Sequence, residues 1–285
     1  MSDEWKRVAA RLDELVARVE KLLPPAAAEP DWKAHAFRWR KHPRGGYLEA
    51  VRHPHDIRFA DLKDIDEQKR RLRDNTAQFV AGRPANNVLL TGARGTGKSS
   101  LVKAALNEFA SKGLRLIEVD KRDLVDLPDI VDLVGDRKER FVVFCDDLSF
   151  EASDAGYKSL KVALDGSIAG SADNVLIYAT SNRRHLMPEF MDENLEARHV
   201  GGEIHPGETT EEKISLSERF GVWLSFYPFD QAQYLDIADH WVETLGGKAD
   251  DVSRKAALLW ALERGFRSGR VAWQFARDYV GRKKK

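Results

Sequence analysis

Apolar and polar positions divide the chain into a leading helix, a middle that alternates strands with helices, and an end made of helices alone. Trp5, Val8, Leu12, Leu15, Val19 and Leu22 recur at alternating steps of three and four, which places them on one helical face. Pro24 and Pro25 stop this pattern, and Ala26–Pro30 reads as a linker. The stripe is too short to stand as a coiled coil, so the helix is expected to dock on its own domain or on a partner. In the middle, Asn87–Thr91, Leu114–Val119, Arg140–Asp146, Asn174–Thr180 and Val222–Phe226 are short runs rich in branched and aromatic residues. Near-continuous apolar runs of this kind predict strands buried on both faces. Helix-compatible stretches such as Ser99–Lys112 and Ala155–Leu164 lie between them, which predicts βαβ units and a parallel sheet. After Asp230 the strand signal ends. Gln231–Leu245, Asp250–Arg264 and Arg270–Tyr279 are helical in pattern and are separated by glycine-containing breaks. The expected division is an N-terminal helix and basic, aromatic linker (1–56), an α/β domain (57–230) and a small helical domain (231–285).

Composition sharpens this picture where charge is counted by segment. The 285 residues hold 46 Lys and Arg against 46 Asp and Glu, a balance of zero. Residues 1–85 carry 18 basic and 14 acidic side chains, residues 86–230 carry 17 and 25, and residues 231–285 carry 11 and 7. An acidic centre between two basic ends offers complementary surfaces for head-to-tail contact between copies, so a homo-oligomer is expected. No apolar run approaches the roughly 20 residues that span a bilayer. The first residues do not read as a secretory signal, and the single cysteine, Cys145, permits no internal disulfide. The expectation is a cytoplasmic protein with no membrane contact.

The strongest chemical signal is Gly92-Ala93-Arg94-Gly95-Thr96-Gly97-Lys98-Ser99, a G-x-x-x-x-G-K-[ST] loop between an expected strand and an expected helix. Its glycines allow successive N–H groups to converge on an oxyanion, and the following helix adds free N–H groups and its positive dipole end. Lys98 supplies a point charge for the outer phosphates, and the Ser99 hydroxyl suits Mg²⁺. Ser100 continues the cradle, whereas the Arg94 side chain is expected to face solvent or a neighbour. The expected ligand is ATP with Mg²⁺. Arg140–Cys145 delivers Asp146 and Asp147 at the C-terminal end of a strand, the sheet edge where ligands bind in open α/β folds. Asp146 is assigned to the metal, and Asp147 to polarising the attacking water.

These residues resemble the AAA+ ATPase superfamily over roughly residues 57–280. The resemblance implies a P-loop three-layer sandwich with a five-stranded parallel sheet and a helical lid. Asp61-Leu-Lys-Asp-Ile65 resembles the segment that flanks the adenine, which assigns Ile65 to the nucleotide. Asn182, in Ala179-Thr-Ser-Asn182, resembles the sensor-1 residue. Arg219, in Leu216-Ser-Glu-Arg-Phe-Gly221, resembles the arginine finger offered to a neighbouring subunit, with Arg183 and Arg184 as second candidates. Arg270 resembles the sensor-2 arginine. More closely, Ala36-Phe-Arg-Trp39, Cys145-Asp-Asp-Leu-Ser-Phe150 and Thr180-Ser-Asn-Arg-Arg-His185 resemble a bacterial family of predicted AAA+ ATPases catalogued as a domain of unknown function. One departure matters: hydrolytic relatives mostly place Glu where this chain has Asp147, which leaves hydrolysis expected and its speed open.

The driven task is less legible. The stretch Asp120–Leu127 lacks the aromatic residue of protein-threading pores, and the 26 residues between Asp147 and Asn174 leave little room for a helicase-type hairpin. Met187–Glu218, with nine acidic and two basic residues, reads as a solvated loop or as a partner-binding insertion. Lys33–Tyr47 holds five Lys and Arg, two His and no acid, interleaved with aromatics. That pattern suits docking on the acidic centre and, less favoured, single-stranded nucleic acid. The leading expectation is an oligomeric ATPase that remodels an unidentified protein client. The alternative is a slow-hydrolysing, nucleotide-switched loader or binding module on a nucleic-acid-associated complex.

Overall fold

The computed structural model describes residues 3–22, 29–42, 45–150, 154–165, 173–183, 198–200, 203–205 and 216–283. Arg184, Lys284, Lys285 and most of the Met187–Glu218 connection lie outside the described residues, as do residues 23–28 of the expected linker. Helix α1 is Asp3–Leu22. Its Trp5, Val8, Leu12 and Leu15 side chains are 69%, 46%, 56% and 60% exposed, so these four positions of the stripe face solvent in the single chain.

Strands β1 (Ala36–His42), β2 (Gly45–Ala50), β3 (Val88–Gly92), β4 (Leu114–Val119), β5 (Arg140–Cys145), β6 (Val175–Ser181) and β9 (Val222–Phe226) form one sheet in the order β2-β1-β4-β5-β6-β3-β9. Short strands β7 (Arg198–Val200) and β8 (Glu203–His205) pair separately. The five strands expected from the sequence are present and parallel. The sheet is wider than expected because Lys33–Tyr47 belongs to it: β1 adds to β4 in parallel, and β2 turns back antiparallel on β1. The cause is a two-residue alternation. Phe37 and Trp39 point into the core and are buried, while Arg38 and Arg40 point out and pair with Glu118 and Glu49 at 2.8 Å. Lys41 lies 3.3 Å from Asp123 and 3.5 Å from Asp126.

Helices cover both faces. One face carries α2 (Asp66–Val80) and α3 (Lys98–Phe109), and the apolar cluster beneath them continues into the C-terminal bundle of α6 (Gln231–Thr244), α7 (Asp251–Arg264) and α8 (Gly269–Lys283). The other carries α4 (Leu127–Gly135) and α5 (Ala155–Asp165). Leu72, Asn75, Thr76 and Phe79 form the buried face of α2. The Asn75 amide donates to the Tyr178 hydroxyl at 3.1 Å, and the Thr76 and Tyr178 hydroxyls lie 2.9 Å apart, which ties α2 to β6. Burial pushes the Tyr178 hydroxyl up to about 12. Asp230 and Asp250 cap α6 and α7 with reciprocal bonds to Gln233 and Ser253, and Gly265 ends α7 in the left-handed region. No described helix is long and apolar enough to cross a membrane.

Candidate functional site

The loop after β3 turns where only glycine is comfortable. Gly92 has φ 122°, and a β-carbon there would stand 1.9 Å from the Phe226 carbonyl oxygen on neighbouring β9. Gly97 has φ 99°, and a β-carbon there would stand 3.6 Å from the Ile65 side chain and 3.7 Å from that of Leu62. The loop then runs into α3, whose first residue is Lys98. Lys98 is 6% exposed, and its Nζ donates to the carbonyls of Gly92 and Ala93 at 2.7 Å and to Asn182 Oδ1 at 3.0 Å. Burial drives the ammonium down to about 8, against the opposing pull of Asp147 and Asp146.

Three strand ends converge here, since β6 lies between β3 and β5 in the sheet. Asp146 and Asp147 leave the end of β5, and Asn182 leaves the end of β6. Ser99 Oγ donates to Asp146 Oδ1 at 2.6 Å. The Asn182 amide donates to Asp147 Oδ1. Lys98, Asn182 and Asp147 are thus one hydrogen-bonded chain, with Ser99 and Asp146 beside it. Asp147 has φ 55°, one of two non-glycine residues with positive φ among the described residues. Aspartate tolerates that conformation better than glutamate, which accounts for the shorter acid at this position.

The cleft around these groups measures about 610 Å³. Ser100 lines it, and so does Arg94, an exposed residue. One wall is apolar, built by Leu62 and Ile65 from the segment before α2 and by Trp241 and Trp273 from the bundle. The two tryptophan rings lie 5.0 Å apart. Arg270, exposed at the second position of α8, reaches the same cleft. The bundle is bonded to the loop itself: Gly269 N donates to Gly95 O at 2.9 Å, and a β-carbon on Gly95 would meet the Ser268 side chain at 2.8 Å.

Arg219 does not line this cleft. Its Nε lies 2.5 Å from Asp165 Oδ1 at the end of α5, which keeps it outside the chain's own site. Arg183 is exposed. Sequence reasoning missed Thr180, Trp241, Trp273 and the Ser268–Gly269 contact. A tryptophan in an amphipathic helix reads as core until the packing of the bundle turns it toward a cleft.

The donors present fit Mg²⁺ with a nucleotide. Ser99 and Asp146 offer oxygen ligands side by side, and among the described residues no cluster of three or more His, Cys, Asp or Glu could hold a metal by itself. Mg²⁺ characteristically takes one or two protein oxygens and completes its shell with phosphates and water.

The family model described as "Protein of unknown function (DUF815)" matches residues 32–283. Comparison with curated protein sequences finds no match. Among solved structures, a RuvB variant of Thermotoga maritima aligns with a TM-score of 0.53 at 17% identity, covering 80% of this chain and 66% of that one. A second RuvB variant from that organism gives 0.51 at 17% identity, with 78% and 63% covered. The Aeropyrum pernix Orc1 protein in complex with DNA gives 0.52 at 18% identity, with 81% and 65% covered. The chain therefore spans less than two thirds of the length of these proteins. The shared feature is the fold of AAA+ domains, an α/β unit with a parallel sheet and a C-terminal helical bundle.

Proposed function

The chain belongs to the DUF815 family, and from that premise we propose that it is an ATPase of AAA+ type, oligomeric in action, that couples ATP and Mg²⁺ to the remodelling of a protein partner. The observation that carries the reading is the bonded chain Lys98–Asn182–Asp147 beside the Ser99–Asp146 pair. It sets a cation for phosphate, two oxygen ligands for Mg²⁺ and a carboxylate for water in one cleft. Mg²⁺, when bound, neutralises charge on the phosphates. The chain's own part is to fix its ligands and to present Asp147. Trp241, Trp273, Leu62 and Ile65 supply an apolar wall for the base, and Arg270 with the Gly269–Gly95 bond joins nucleotide contact to the position of the bundle.

In this proposal Arg219 acts on the site of the next subunit, since it stands outside its own cleft. Its guanidinium offers a permanent charge and fixed donors to the transferring phosphoryl group. Arginine fingers contribute roughly 10³- to 10⁵-fold to turnover. The acidic centre and basic ends favour another copy of the chain as first partner. Nucleic acid is less favoured, because Phe37 and Trp39 are buried and Arg38, Arg40 and Lys41 are paired with carboxylates.

One observation supports the slower, switch-like alternative: the Asp147 carboxylate is short and already bonded by Asn182. Turnover measured against protein concentration separates the two readings. The ATPase reading expects specific activity that rises with concentration, releases only ADP and phosphate, and is lost in Arg219→Ala. Tight ATP binding with negligible turnover in concentrated protein overturns it and leaves the switch.

A further inference from the structure

We propose that Thr180 is a positioning residue: its one hydroxyl sets both acids of the site, orienting Asp146 toward the metal and holding Asp147 in its left-handed turn. The inference rests on the nucleotide and Mg²⁺ reading above. Regular pairing of β5 with β6 runs from Phe141↔Val175 to Cys145↔Ala179 and then stops. Beyond it the chain turns at Asp147, with φ 55°, and meets β6 again where Leu148 N donates to Thr180 O at 2.7 Å. The turn takes the Asp147 N–H out of the ladder, and a backbone donor left in part-buried surroundings needs another acceptor. Thr180 Oγ1 is that acceptor, at 2.9 Å. The same hydroxyl donates its proton to Asp146 Oδ1 at 2.6 Å. Donor and acceptor roles of a single hydroxyl are both used, on consecutive residues, by a side chain 2% exposed.

The electrostatic consequence is directional. The donated bond leaves Asp146 with one oxygen oriented by Thr180 and Ser99 together, so the carboxylate plane is fixed before a cation arrives. The accepted bond fixes the backbone that carries Asp147 toward Asn182. Partners that orient metal ligands typically contribute about 10- to 100-fold in metal affinity or activity when removed. Valine matches threonine in shape and offers neither role, whereas serine keeps both.

The test compares Thr180→Val and Thr180→Ser with the unaltered chain in two measurements. The first is the affinity for a fluorescent ATP analogue with and without Mg²⁺, and the second is ATP turnover. Thr180→Val is expected to keep metal-free nucleotide affinity within about twofold, to lose about tenfold of the gain that Mg²⁺ gives, and to lower turnover about 10- to 100-fold. Thr180→Ser is expected to recover both to within about threefold. If Thr180→Val does not fold, Thr180→Ala against Thr180→Ser makes the same comparison. The proposal is overturned if Thr180→Val keeps the Mg²⁺ gain and the turnover, or if a folded Thr180→Ser loses as much as Thr180→Val. Failure of the unaltered chain to bind the analogue overturns the nucleotide reading instead, so the two failures are distinct.

Discussion

Raising the pH from 7 to 9 is expected to weaken nucleotide binding by about tenfold through Lys98 alone. Burial holds its ammonium down to about 8, whereas a phosphate ligand favours the charged form. Binding must then supply the missing proton. At pH 7 about 9% of the lysine is neutral and at pH 9 about 91%, which gives a tenfold ratio, or ~1.4 kcal/mol. Isothermal titration of MgATP in two buffers of different ionisation enthalpy reads the proton directly: uptake of about 0.1 at pH 7 and about 0.8 at pH 8.5. Folding stability follows the same lysine with the opposite sign. A cation whose folded value is lowered binds fewer protons folded than unfolded between about 8 and its ordinary value of 10.5, so nucleotide-free stability rises with pH across that window. The full effect is on the order of 3 kcal/mol, borne as a cost below pH 8. Affinity that is flat from pH 7 to 9, with no proton uptake, refutes the assignment of Lys98 to the phosphates in its charged form.

Gly92→Ala is expected to lower stability by more than about 3 kcal/mol, since its β-carbon would stand 1.9 Å from Phe226 O; a melting temperature unchanged from the parent refutes the close approach. Asp147→Glu is expected to be about 1 kcal/mol less stable and no faster than the parent, because glutamate fits φ 55° less well, and faster turnover would contradict this account. Tyr178→Phe should reduce stability by about 1–2 kcal/mol in a denaturant titration, as Asn75 and Thr76 lose their shared buried partner. ATP-dependent assembly should weaken as salt rises, and salt-insensitive assembly would remove the role given to the charge asymmetry.

The sequence by itself determined the phosphate loop, the five parallel strands, the three C-terminal helices and the acids at the end of β5. Each is written in a short window: glycine spacing around Lys98, strand-forming runs of five to seven residues, helical periodicity between Asp230, Asp250 and Gly269. Lys33–Tyr47 shows the limit of such windows. Its composition suggested a basic, aromatic binding strip, yet the alternation of Phe37 and Trp39 with Arg38 and Arg40 makes it sheet, because β4 offers an edge for it to join.

Only the tertiary structure decided what joins those windows. The order β5-β6-β3 sets Asn182 between Lys98 and Asp147 and brings Thr180 onto both acids, although these residues are far apart in sequence. The docking of the bundle on Gly95 turns Trp241 and Trp273 into a cleft wall, and the placement of α5 holds Arg219 at Asp165 and away from its own site. Local pattern fixes which face of an element is apolar. Which neighbour that face meets depends on strand order and helix packing, and the site is made where those neighbours meet.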